Sequence, residues 1–89
     1  MAKGNPALLP LEIAERAALT FKALADPTRI RILHLLAQGE RSVTDLAKTL
    51  GLSQSAVSHQ LAFLRSMGLV KYRRQGQLLF YTCDDDHVM

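Results

Sequence analysis

Apolar positions recur at helical spacing through the first three quarters of the chain, then give way to two short runs of aliphatic and aromatic residues. From Leu11 to Ala25, the residues Ile13, Ala14, Ala17, Ala18, Phe21, Leu24 and Ala25 form a broad stripe, with more apolar surface than one helix contact uses. Asp26-Pro27 sets a new start, with Asp26 as N-cap and Pro27 at the first helical position. Ile30, Leu33, Leu36 and Ala37 continue that second helix to Gly39, which suits a left-handed C-cap. Ser42-Val43-Thr44-Asp45 reads as a capping box with Asp in place of Glu. It opens a short third helix over Thr44 to Leu50, closed by Gly51-Leu52-Ser53. Ser53 then caps a fourth helix in which Val57, Leu61 and Leu64 share one face and which Gly68 ends. Leu69 to Arg74 and Gln77 to Cys83 predict two strands joined around Gln75-Gly76. Asp84-Asp85-Asp86 favours the start of a fifth helix, because carboxylates stabilise a helix N-terminus.

The predicted fold is mostly α with a small β-hairpin, in the order α-α-α-α-β-β plus the start of a fifth helix. Gly4, Pro6 and Pro10 predict a flexible N-terminal arm over residues 1–10, ahead of one domain over 11–89. A helix, a Gly-containing turn and a second helix with a polar outer face form the pattern of a DNA-reading helix-turn-helix. That outer face carries Gln54, Ser55, Ser58 and His59, short side chains able to approach base edges and phosphates. An ordinary solvated helix face would instead carry Lys and Glu.

Charge sharpens the picture. Residues 41–83 hold six basic side chains against one acidic, within a chain of net charge +3. The positive field thus belongs to the proposed helix-turn-helix and hairpin, where a phosphate backbone would dock. Lys71, Arg73, Arg74 and Gln75 flank the hairpin turn and are the expected wing contacts to phosphates or the minor groove. Lys48 and Arg65 read as surface charges, and Arg29 and Arg31 as cover for the polar side of the second helix.

Size and composition exclude other classes. With 89 residues, 48% of them apolar, the chain suits one small ordered domain whose stability margin is thin. No apolar run approaches the roughly 18 residues of a membrane span, and Ala7-Leu8-Leu9-Pro10 is too short for a signal-peptide core. The single Cys83 forbids an internal disulfide and suits a reducing cytoplasm; its place in a strand suggests a small core side chain. An enzyme is not expected. No phosphate-binding loop is present, and Ser58 and His59 are helix neighbours pointing about 100° apart.

Three ordered motifs resemble the ArsR/SmtB family of bacterial repressors: Ala23-Leu24-Ala25-Asp26-Pro27-Thr28-Arg29-Ile30-Arg31-Ile32-Leu33, then Ser53 to Leu61, then Gly68-Leu69-Val70 with Arg73-Arg74-Gln75-Gly76-Gln77 and Tyr81. The resemblance implies a winged helix-turn-helix repressor, cytoplasmic and homodimeric. It binds an imperfect palindrome of double-stranded DNA, His59 among its contacts, and leaves it when a metal or other signal binds. Family members that sense thiophilic metals carry a Cys-x-Cys pair at the start of the third helix. Glu40-Arg41-Ser42-Val43-Thr44-Asp45 has none, so soft-metal ligation there is not expected. Asp85-Asp86-His87 is similar to the first half of the family's zinc site, with Asp85 and His87 as ligands. The second half would follow Met89, and two ligands do not close the tetrahedral site that Zn²⁺ prefers. In the family the first helix packs with the fifth at the dimer interface, so a dimer weakened by the missing fifth helix is expected. Two other readings stay open: a signal-blind, truncated DNA-binding core, and a winged helix that binds an acidic protein partner.

Overall fold

The computed structural model describes residues 6–84. In chain order the elements are α1 (Leu11–Leu24), α2 (Pro27–Ala37), β1 (Arg41–Ser42), α3 (Val43–Leu50), α4 (Gln54–Ser66), β2 (Val70–Gln75) and β3 (Leu78–Cys83). Residues 1–5 of the expected arm, and Asp85 and Asp86 of the expected fifth helix, lie outside the described residues.

Local chemistry sets most boundaries. The Asp26 carboxylate accepts from the Thr28 amide at 2.9 Å, and Pro27 follows at the first helical position. Both suit a helix start, where the first amides lack backbone partners. Ser42 Oγ accepts from the Asp45 amide and Ser53 Oγ from the Ala56 amide, each at 3.0 Å. Gly51 (φ +70°, ψ +33°) then supplies the left-handed residue that lets the chain turn between α3 and α4.

Three details depart from the expectations. Gly39 does not cap α2 in the left-handed region; Gln38 caps it in the right-handed region, its amide donating to the Leu35 carbonyl and the Gly39 amide to that of Leu36, while Gly39 sits at φ +153°. The chain there is already unwinding toward a strand. The Asp45 carboxylate accepts from Arg41 at 2.8 Å rather than completing a capping box, since the basic neighbour lies within easy reach. Finally, β1 was not expected. Its two residues pair with β3 (Arg41 opposite Tyr81, Ser42 opposite Phe80), giving a three-stranded antiparallel sheet in the order β1-β3-β2.

The core sits where the helices meet the sheet. Ile32 and Leu36 from α2, Leu46 and Ala47 from α3, Val57, Leu61 and Leu64 from α4, and Val70 and Tyr81 from the sheet form one buried cluster. Cys83 packs against it, its Sγ 3.8 Å from the Leu33 carbonyl, as its strand position suggested. In contrast, α1 contributes only Ala23 to the buried set. Leu11, Ile13, Leu19 and Phe21 remain 70, 52, 54 and 72% exposed.

Two substitutions separate core packing from capping. Leu61→Ala removes a side chain with no exposed surface and is expected to cost about 2–5 kcal/mol. Asp26→Ala removes one cap and is expected to cost about 1 kcal/mol. Urea unfolding followed by circular dichroism reads both. Equal costs would mean that the core is not centred on α4.

Candidate nucleic-acid interface

The geometry of α4 follows from its buried stripe. At about 100° per residue, inward Val57, Leu61 and Leu64 turn Ser55, Ser58 and His59 away from the core. Gln54, at the first helical position, is exposed with them. None of these four side chains is held by a hydrogen bond to another described residue, so their polar atoms stay available to solvent or a ligand. Across from them stands the wing. A cleft of about 210 Å³ is lined by Thr44, Gln54, Ser58 and Gln77, joining the start of α3, the start of α4 and the hairpin tip. Thr44 and Gln77 were not among the expected contacts, and their signal is only spatial.

The hairpin turns through Gly76 and Gln77, with Gln75 opposite Leu78 and Gly76 at φ +64°, a conformation glycine adopts without steric cost. Strand alternation puts Val70, Tyr72 and Arg74 on one face and Lys71, Arg73 and Gln75 on the other. Tyr72 packs against Tyr81 with ring centroids 5.4 Å apart, and the Arg65 guanidinium lies 4.5 Å over the Tyr72 ring. Arg65 is therefore no plain surface charge: it ties the C-terminal turn of α4 to β2. Burial, the larger cause, also pushes the Tyr81 hydroxyl above its ordinary pKa, so it stays a neutral phenol at physiological pH.

Several of the basic residues are already engaged. Arg73 is engaged three ways. It makes a bidentate pair with the Glu40 carboxylate at 2.8 Å for each bond, donates to Gln75 Oε1 at 2.8 Å, and stacks 4.8 Å over Phe80. Three of its five N–H donors are thereby taken, so a phosphate would compete with Glu40 for this guanidinium. Arg41 is paired with Asp45. Arg74 is exposed and has no ion pair among the described residues, while Lys71 is exposed on the opposite face of β2. Arg29 does not merely cover α2. It donates to Gln60 Oε1 of α4 at 2.7 Å and lies 3.8 Å over the Phe63 ring.

Asp85 and His87, the expected metal half-site, lie outside the described residues. Among the described residues no group of three or more His, Cys, Asp or Glu side chains is placed to hold a metal ion. No helix among them is long and apolar enough to cross a membrane.

Residues 26–72 match the family model described as bacterial regulatory protein, arsR family. The chain is 50% identical over 85 residues to a transcriptional repressor SmtB homolog from Synechocystis, covering 96% of this chain and 64% of that protein. It is 39% identical over 89 residues to a cadmium resistance transcriptional regulatory protein CadC homolog from Staphylococcus aureus, covering 99% and 67%. Among solved structures it is similar to the homodimeric winged helix-turn-helix DNA-binding domain of a possible ArsR-family transcriptional regulator from Mycobacterium bovis. There the TM-score is 0.81 at 36% identity, covering 97% of this chain and 78% of that one. The chain thus spans roughly two thirds of the length of these curated relatives.

The Glu40–Arg73 pair has a pH signature. Its hydrogen bond to Arg73, with a smaller charge contribution, lowers the Glu40 pKa below the ordinary glutamate value. A carboxylate with a lowered folded pKa stabilises the fold above the unfolded value and loses that contribution as pH falls through the lowered one. Carbon-detected NMR of the Glu40 carboxyl should therefore show a midpoint below that of an unpaired glutamate, moving up in Arg73→Ala. A midpoint unchanged by that substitution would show that the pair does not persist in solution.

Proposed function

The chain belongs to the arsR family of bacterial regulatory proteins, and on that footing we propose that it is a sequence-specific, DNA-binding transcriptional repressor acting as a homodimer on an imperfect palindrome. The observation that carries the reading is the outward face of α4, where Gln54, Ser55, Ser58 and His59 stand exposed and uncommitted beside the wing tip. α4 enters the major groove, and these side chains meet base edges and the adjoining phosphates. Lys71 and Arg74 meet phosphate or the minor groove from the wing, with Gln75 at its edge. Arg73 joins them where a phosphate displaces Glu40. The face is polar rather than apolar or aromatic, which favours nucleic acid over a protein partner.

Two features concern assembly and signal. The exposed apolar side chains of α1 suit burial against a second copy of the chain. A carboxylate and an imidazole, Asp85 and His87, have the donor chemistry that Zn²⁺ accepts, but they are two ligands of the four it prefers. Release of DNA by a metal ion is the second reading, and it stands on these two residues and on the cadmium-resistance regulator among the relatives.

Fluorescence anisotropy on duplexes selected from a random library tests the DNA reading. Selective binding is expected. Ser58→Ala should cost about 1–3 kcal/mol of discrimination if a base contact is lost. Arg74→Ala should weaken binding to all sequences and flatten the salt dependence by about one counterion. Failure to enrich any sequence would favour the protein-partner alternative. Zinc that weakens binding would support the metal-responsive reading; indifference to zinc would leave a signal-blind core. For the dimer, light scattering after size exclusion should show mass falling from two copies to one on dilution, with Phe21→Glu shifting that transition to higher concentration. A monomer at every concentration would sink the dimer.

A further inference from the structure

At about 100° per residue, the buried stripe of α4 has two flanks. Gln60 and Phe63 lie on one flank and Arg65 on the other, while Ser55 and His59 face away from the core. Each flank is held by a guanidinium stacked on an aromatic ring. On the second flank Arg65 lies over Tyr72 of the wing. On the first, Arg29 reaches across from α2, its guanidinium carbon 3.8 Å from the Phe63 centroid and its Nε donating to Gln60 Oε1 at 2.7 Å. Asp26 completes the arrangement from behind. One carboxylate oxygen caps α2 through the Thr28 amide, and the other lies 3.7 Å from Arg29 Nε. The Arg29 side chain is left only 20% exposed.

We propose that Arg29 is a positioning residue for DNA recognition, fixing the roll of α4 about its own axis and so the direction in which Ser55, Ser58 and His59 point. The role rests on the DNA-binding reading above. Apolar burial alone holds a helix to its groove but is non-directional, so it resists small rolls weakly. A planar fork that is stacked on one side chain and hydrogen-bonded through Nε to another one turn away resists them, because roll displaces the ring and the amide together from a group whose plane and donor direction are fixed. Lysine, a flexible point charge, keeps the attraction to Asp26 but loses the stack and the fork. Arg29 acts on selectivity without touching phosphate.

The test uses Arg29→Lys, Gln60→Ala and the double variant, with thermal melts beside anisotropy on the selected duplex and on random duplex. Arg29→Lys should lower the ratio of selective to random binding about tenfold, as expected when stack and fork are both lost. Binding to random duplex and the salt slope should stay as in the parent chain. The double variant should lose less than the sum of the singles, since both remove one contact. A ratio equal to the parent's, or a slope reduced by about one with both affinities falling together, would overturn the positioning role. The second outcome would make Arg29 a phosphate contact. A parent chain that selects no duplex would overturn the DNA reading and this role with it, whereas selective parent binding matched by Arg29→Lys overturns this role alone. Independently of DNA, the Arg29 Nε–H proton should be ring-shifted upfield and move downfield in Phe63→Leu. A resonance that does not move overturns the arrangement.

Discussion

Val57, Leu61 and Leu64 leave no surface to solvent, and because they sit on one stripe of a 13-residue helix, the packing that buries them also decides which side chains face out. Any rotation that exposed Val57 or Leu64 would cost roughly 1.5–3 kcal/mol per side chain. Core formation therefore turns Ser55 and His59 outward, and contacts at the flanks of the helix refine its roll. The rest of the molecule completes this arrangement. Ile32 and Leu36 supply the floor, Leu46 and Ala47 the neighbouring helix, and Val70 and Tyr81 the sheet against which α4 lies. Short polar residues can then occupy the exposed face at only the small cost of their weaker helix propensity, because no packing is asked of that face.

Charge is arranged on the same logic. The basic excess of the C-terminal half looks uniform in sequence, but the fold spends it in different ways. Arg41 and Arg73 find carboxylates, Arg65 finds an aromatic ring, and Arg74 is left exposed at the wing. Exposed ion pairs stabilise weakly. Their consequence here is geometric: Glu40 and Arg73 join the segment before β1 to β2 across the central strand β3, bracing a hairpin that on its own would be marginal. The wing is thereby stiffened from the side remote from α4, and Arg65 on Tyr72 steadies it from the near side.

How much of this was legible beforehand depended on sequence separation. The N-caps at Asp26, Ser42 and Ser53 act over two or three residues, so each could be read from a short window, and each is where the pattern put it. The hairpin was legible through Gly76 and its flanking runs. β1 was not, because two residues carry no periodicity and its pairing with β3 lies about forty positions away. The same holds for the outward face of the site. Ser55, Ser58 and His59 follow from helical spacing alone, whereas Gln54 shares the azimuth of Leu61 and is exposed because it opens the helix. In contrast, the engagement of Arg73 by Glu40 and of Arg29 by Gln60 depends on partners 33 and 31 residues distant, which no local pattern reveals.

One element stands outside this economy. α1 has 14 residues, yet only Ala23 is buried, and its larger apolar side chains project into solvent. A helix of that length is marginal in water by its own hydrogen bonds, and most helical stability in proteins comes from packing an apolar face. Only the Ala14, Ala17, Ala23 and Leu24 side of α1 is even partly covered within one copy, whereas α2, α3 and α4 each contribute two or three residues to the shared core. The remedy with the least new chemistry is a second copy presenting the same stripe, since a two-fold interface is self-complementary by construction. Association would then stabilise α1 first, and through Asp26 at its C-terminal junction the start of α2. α4 is held from α2 by Arg29, so ordering α1 against a partner would reach the outward face of α4 through Asp26 and Arg29.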